Sequence, residues 1–448
     1  RSLRRGARDM TDLAAYGRLV DRADTRRRRG VVTGVTGLVV ESTGPRLPIG
    51  EEVDILSPEG EPAGLAEIVG FRGNRIFTMP LTQTRGIAPG FDVVSRPLPA
   101  GIRVDASMVG QVLDGLGRPL RGAGRGAEGT PYPLHPRPSS ALDRGAITDP
   151  LPTGVRTIDA LLTCGKGQRV GIFAGSGVGK STLLGMIARH TAADVNVIAL
   201  VGERGREVGD FIDGPLGREG MARSVVFVST SDEPPMMRVR AALAAAAAAE
   251  YFRDRGKDVL FMMDSVTRVA MALREVALSA GEPPASKGYP PSVFAFMPGL
   301  FERAGRWRSG GSVTGFYTVL VEGDDLADPV ADTARALLDG HIVLSRALTS
   351  RGHFPSIDVL ESVSRLMPHV ATPDHLAAAT LVRRTMAVHR DSEDLINIGA
   401  YKEGVNRDLD VAVRAMGGVR AFLQQGARDR AEFPASVESL AAISRSCA

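Results

Sequence analysis

The sequence predicts an α/β protein in which a mostly parallel sheet is preceded by a small antiparallel β-barrel and followed by a helical domain. Three observations predict it. Residues 168–189 read QRVGIFAGSGVGKSTLLGMIAR, an apolar run, a glycine-rich turn and then a helical pattern. Downstream, apolar runs at 195–201, 225–228, 259–263 and 313–321 alternate with helical stretches, the pattern of βαβ units whose ligands sit at the strands' carboxyl ends. Residues 31–98 break into short apolar segments between turns, and from about Thr372 strand signals give way to helical spacing.

Composition bounds the answer. A chain of 448 residues with 43% hydrophobic content can bury several cores, roughly two to four domains by length. The formal charge is +4, but the first 30 residues hold ten Arg against four Asp, so the remainder is net acidic and the basic balance describes an arm. Cys164 and Cys447 are the only cysteines, which fits a reducing compartment without a disulfide framework. No apolar run approaches the ~20 residues of a membrane span and no signal-peptide core is present, so a soluble intracellular protein is expected. The chain opens on Arg1, and Met10 is a candidate natural start.

Residues 1–29 are expected to form a basic arm with a short amphipathic helix over 10–25, in which Leu13, Tyr16 and Val20 share a face. Such a helix can dock on a partner or an anionic surface, and a frayed terminus is the alternative. The barrel is expected over 30–98, from segments 31–40, 52–56, 65–79 and 91–94. Residues 121–153, rich in Gly and Pro, read as an extended connection in which His135 is a solvated loop imidazole. A nucleotide-binding domain over 99–371 follows. Within it, alanines dominate 241–249 between Arg240 and Glu250, and the best helix former predicts a packed helix leading into the next strand. Helices fill 372–448.

The turn after the first apolar run is built to hold phosphate. Gly175, Gly177 and Gly179 permit positive φ, and with Ser176 and Val178 they present successive N–H groups to an anion at the start of the Lys180, Ser181, Thr182 helix. Lys180 can reach the β- and γ-phosphates of ATP, and the Ser181 hydroxyl can ligate Mg²⁺. Ala174 stands where the first glycine of G-x-x-x-x-G-K-[ST] belongs, at the close of the strand. Asp264 ends the apolar run VLFMMD, where a carboxylate can hold the Mg²⁺ shell. Glu203 follows the next strand in GERGRE, placed to orient a water attacking the γ-phosphate; a surface charge cluster is the plainer alternative.

The motifs GERGREVGDF, DSVTRVAMALREVALSAGEPPASKGYPPSVF, GSVTGFYTVLVEGDDLADPVADTARALLDGHIVLSR and RGHFPSIDVLESVSRLM resemble the flagellar type III protein export ATPases and, more distantly, the catalytic β subunit of rotary ATP synthases. The likeness runs from about Val31 to Gln425. It implies a RecA-like P-loop ATPase core in a homohexamer with catalytic sites between subunits. It makes Glu203 the water-activating carboxylate, Lys180 and Ser181 the phosphate and Mg²⁺ ligands, and Asp264 the second metal carboxylate. Arg268 is an arginine near the γ-phosphate, Arg204 and Glu207 support the site, and Arg365 is the finger donated by the neighbouring protomer. Phe354 takes the place of an aromatic ring stacked on adenine, usually Tyr, with His353 beside it structural. Ala174 is what the family shows at that position.

The resemblance also implies partners and place. These are a central coiled-coil stalk protein, touched by loops 281–291 and 323–329, a peripheral regulator on the N-terminal arm, export chaperones and substrates, and a membrane export gate. The chain would then work in the cytoplasm, peripheral at the cytoplasmic face of the inner membrane. Four alternatives compete. An injectisome export ATPase shares the chemistry, with KGYPPSVF and GHFPSID leaning flagellar. A rotary synthase subunit is disfavoured by Glu203 and by AYKEGVNRDLD in place of an acidic lever. An RNA translocase would need stacking platforms in a basic groove, and Phe71, Phe77 and Phe91 are the barrel's only aromatics with no basic stripe, so no nucleic-acid partner is expected. A nucleotide-binding scaffold without turnover is the last.

Overall fold

The computed structural model describes residues 27–96, 100–121, 129–138, 140–321 and 328–447. The expected helix over 10–25, and Asp324 and Asp325 of loop 323–329, lie outside them. The chain divides into two compact units, residues 1–100 and 101–448.

In the first unit β1 (Arg29–Thr36), β2 (Val39–Ser42), β3 (Glu52–Leu56), β4 (Pro62–Arg72), β5 (Arg75–Pro80) and β6 (Asp92–Ser95) close into a barrel in the order β1-β2-β5-β4-β3-β6. Inward residues such as Val32, Val40, Ile55 and Ile68 fill it. The four apolar segments of the sequence become six strands. Gly37 and Gly73 take left-handed φ of 59° and 60° inside two of those segments, and each turns the chain back on itself.

The second unit adds β7 (Gly101–Val104), β8 (Val112–Leu113), β9 (Thr130–Pro133), β10 (Arg169–Ala174), β11 (Val195–Val201), β12 (Ser224–Ser229), β13 (Asp258–Asp264), β14 (Gly305–Arg306), β15 (Ser312–Leu320), β16 (Gly340–Leu344) and β17 (Ile357–Ser364). Its sheet runs β17-β16-β10-β15-β13-β11-β12-β8, parallel except for β17 at one edge and the short β14 beside β15. The expected strands are present, and β16 and β17 extend the sheet beyond them. The Gly/Pro-rich connection is not extended throughout: β9 pairs with β7, and Ala141–Asp143 makes a 3₁₀ turn. His135 is exposed, as expected of a loop imidazole.

The alanine run lies in helix Pro235–Arg253, which starts with Pro at its first position and is buried along almost its whole length against the sheet. Its buried charged residues find partners. Arg240 donates to the Gly115 carbonyl, Arg238 reaches Glu275, and Glu250 accepts both ends of the Arg303 guanidinium at 2.8 and 2.7 Å. Asp328 caps the helix Pro329–Leu337 by accepting from the N–H groups of Val330 and Ala331, as Asp-Pro at a helix start predicts.

Helices Pro373–Asp391, Glu393–Asn397, Arg407–Leu423 and Phe433–Ser446 complete the chain. They share one apolar core with the sheet: Val382, Val419, Phe422 and Leu440 cluster with Ile158 and Leu161 of helix Arg156–Leu161. The buried His375 ring fixes the junction through Nε2, 2.7 Å from the Ala160 carbonyl. Among the described residues no helix is long and apolar enough to cross a membrane.

Candidate active site

β10 ends at the buried Ala174 and hands the chain to the glycine turn. Gly177 and Gly179 adopt left-handed φ of 77° and 89°, while Gly175, expected to do the same, does not. Gly179 caps helix Lys180–His190 with no side-chain hydrogen bond. The first-turn N–H groups of Lys180, Ser181 and Thr182 therefore have no side-chain cap and face the loop opening with the positive end of the helix. Val178 turns its side chain into the core, and its carbonyl accepts the Ser356 hydroxyl at 2.6 Å. Its contribution to a ligand is main chain only.

Beyond β15, the parallel strands β13 and β11 end at the same edge and bring the acids there. Lys180 Nζ lies 2.5 Å from Asp264 Oδ1 at the end of β13 and 3.3 Å from Glu203 Oε1, just beyond β11. Thr318 on β15 donates to the same Asp264 oxygen at 2.7 Å. Burial works against the Lys180 ammonium, yet Asp264 and Glu203 outweigh it and raise its pKa. Burial also raises the Glu203 pKa; Lys180 opposes the rise and the negative charge of Asp264 adds to it.

Arg268 enters from the first turn of helix Val266–Ser279, which Ser265 caps by accepting the Arg268 N–H. Gly202 makes room for it. At φ 73° a side chain there would place its Cβ 2.8 Å from the Arg268 Cβ. Arg268 lines the cavity described below, and its buried Nε has no acceptor among the described residues. Arg204 and Glu207 stand on the rim, 3.8 Å apart and largely exposed.

These residues line one cavity of about 540 Å³: the loop from Gly175 to Gly177, then Gly179 through Thr182, with Glu203, Arg204, Glu207, Asp264 and Arg268. Sequence reasoning missed two contributors. Arg346, just after β16, lines the cavity with Nη2 3.5 Å from the Ser176 carbonyl. It lay inside a quoted motif, but a lone arginine after a strand carries no local signal. Thr318 was hidden in the same way, as one hydroxyl in an apolar strand.

The residues present fit Mg²⁺ arriving with a nucleotide. The Ser181 hydroxyl and the Asp264 carboxylate are hard oxygen donors opening on one cavity, and Mg²⁺ takes one or two such ligands with water and phosphate oxygens. Among the described residues no group of three or more His, Cys, Asp or Glu side chains could hold a metal unaided.

Two expected residues are not brought to this cavity. Phe354 does not line it. Its ring is 46% exposed, two residues before Ser356 ties the segment to the phosphate loop. Arg365 lies at the opposite edge of the sheet. It follows Ser364, which pairs with Gly340 at the start of β16, whereas the loop follows Ala174, level with Leu344 at its end. The exposed guanidinium donates to the carbonyls of Leu338 and Arg335 at 3.2 and 3.3 Å.

Comparison with known proteins finds relatives for each region of the chain. Residues 154–364 match the nucleotide-binding domain of the ATP synthase alpha/beta family, residues 32–96 its beta-barrel domain, and residues 371–442 the T3SS EscN ATPase C-terminal domain. The flagellum-specific ATP synthase of Bacillus subtilis (strain 168) is 49% identical over 426 residues, covering 95% of this chain and 97% of that protein. The type 3 secretion system ATPase of Xanthomonas euvesicatoria is 44% identical over 417 residues, covering 93% and 94%. The structure of the assembled ATPase EscN in complex with its central stalk EscO, from enteropathogenic E. coli, superposes with a TM-score of 0.85 at 41% identity over 93% of this chain and 100% of that one.

Proposed function

The chain belongs to the flagellar and type III secretion ATPases of the ATP synthase alpha/beta family, and on that premise we propose that it hydrolyses ATP with Mg²⁺ as a homohexameric ring energising export of flagellar proteins through a type III secretion apparatus. The observation that carries the reading is Lys180, held at the mouth of the phosphate loop between Asp264 and Glu203.

Each residue has a place in phosphoryl transfer, which is mostly positioning and electrostatics. The first-turn amides and Lys180 take the β- and γ-phosphates, so Lys180 exchanges carboxylate partners for phosphate oxygens. Ser181 and Asp264 would hold Mg²⁺, which would supply positive charge against that developing on the phosphates. Glu203, freed from Lys180, orients the attacking water and accepts its proton, a task suited by its raised pKa. Arg268, which lines the same cavity, would add its positive charge near the γ-phosphate. Arg365 of the neighbouring subunit completes the charge, and Phe354 offers its exposed ring to adenine.

The partners follow from the same premise. A central stalk would thread the ring at loops 281–291 and 323–329, a regulator would hold the N-terminal arm, and the ring would release chaperones and unfold substrates at the membrane export gate, peripheral to the inner membrane on its cytoplasmic side. The higher identity to a flagellum-specific relative, 49% against 44%, favours flagellar cargo over that of an injectisome.

The test is Glu203→Gln. It should bind ATP with near-normal affinity and hydrolyse it about 10²-fold or more slowly, measured by nucleotide binding beside single-turnover hydrolysis. Turnover near the wild-type rate would remove Glu203 from the mechanism.

A further inference from the structure

Arg169 opens the strand that leads to the phosphate loop and Gln168 precedes it, yet their side chains serve the far edge of the sheet. The buried Gln168 accepts the Gly165 N–H at 2.8 Å, and its Nε2 donates to the Asp339 carbonyl at 3.3 Å and the Ser364 hydroxyl at 3.1 Å. Arg169 grips the Asp339 carboxylate as a fork, Nε to Oδ2 at 3.0 Å and Nη2 to Oδ1 at 3.1 Å, and its main-chain N–H adds a third bond to Oδ2 at 3.0 Å. Glu302 takes the remaining end of the guanidinium. The clamped Asp339 then presents its carbonyl to the Arg365 N–H at 3.0 Å, while the preceding Leu338 carbonyl holds the Arg365 guanidinium.

We propose that Asp339 is a positioning residue. Clamped by Gln168 and Arg169, it sets the main chain that aims Arg365, so the strand carrying one subunit's phosphate loop also seats the arginine offered to the next subunit. The proposal rests on the reading of Arg365 as donated in trans. β10 has six residues and spans about 20 Å, so its two ends belong to two different active sites in a ring. The chemistry of the clamp is specific: a fork on a carboxylate fixes orientation as well as distance, which neither an amide nor a lysine ammonium reproduces. A shift of about 1 Å in a positioned group is enough to cost about 10²-fold in rate.

Asp339→Asn should lower kcat by about ten- to a hundredfold while leaving KM for ATP within about twofold, because the phosphate loop of its own chain is untouched. Rings mixing Asp339→Asn with Lys180→Ala chains should regain activity above either pure ring. There an intact loop from one chain meets a well-seated arginine from the other, a rescue that a fault confined to its own site would not show. Arg169→Lys, which keeps the charge and loses the fork, should fall between wild type and Asp339→Asn and be rescued in the same way; it carries the test if Asp339→Asn fails to assemble. An Asp339→Asn ring with wild-type kcat, or one whose loss is not rescued in mixed rings while Arg365→Ala is, overturns the proposal. Normal turnover in pure Arg365→Ala rings would instead overturn the trans reading beneath it.

Discussion

At the carboxyl edge of the sheet Lys180 is held by two carboxylates, with its side chain only 13% exposed, whereas at the amino edge Arg365 is exposed and donates to main-chain carbonyls alone among the described residues. Both edges belong to the same strands. The first is electrostatically closed, so a nucleotide must replace ion pairs already formed. The second is left open, because carbonyl acceptors hold a guanidinium in place without neutralising it. A lysine already paired within its own site and an arginine left unneutralised are what one subunit needs if each site is shared between neighbours.

The sharpest way to break the comparison is Arg365→Ala. A finger of this kind is worth about 10³-fold or more in kcat, so pure mutant rings should lose nearly all steady-state ATPase activity, and mixing with Lys180→Ala chains should restore a measurable part. A smaller effect is expected from pH. Glu203 must be ionised to accept a proton, and burial sets its pKa above the usual carboxylate range, so kcat/KM should fall on its acid side at higher pH than an exposed glutamate would give. The stability linked to this group is present below its unfolded pKa and is lost as pH rises through the raised folded value. Glu203→Gln should accordingly melt higher than wild type at pH 8, on the order of a degree or two, with the gap closing towards acid. The smallest effect belongs to Arg346→Ala on the exposed rim, a several-fold rise in KM for ATP with kcat nearly unchanged. Loss of kcat instead would move Arg346 from the rim to the chemistry.

The same contrast governs what could be read without coordinates. The carboxyl edge was largely legible, because a phosphate loop places glycines, Lys180 and Ser181 at fixed spacing and the carboxylate of Asp264 ends a long apolar run. Glu203 required the resemblance, since one acid in a charged loop has no local signature. The amino edge was silent: Arg169 and Asp339 lie 170 positions apart and meet only because β10 and β16 are neighbours. Strands were legible where the run was long and fully buried, as in β11 to β13. They were missed at β17, where five of the eight residues face outward or lie part-exposed, and they merged in the barrel, where single glycines made the turns. Gly175 warns against reading conformation from composition, since the loop needed only two of its three glycines in the left-handed region.

The alanine helix carries a consequence of its own. Each alanine from Ala241 to Ala249 is at most 2% exposed, with only Leu243 breaking the run, so the helix is enclosed on every face. An added methylene in such packing typically costs about 1–3 kcal/mol. The segment that looks most like filler in the sequence is therefore among the least free to drift. A comparison of related chains should find there some of the slowest-changing residues outside the nucleotide site.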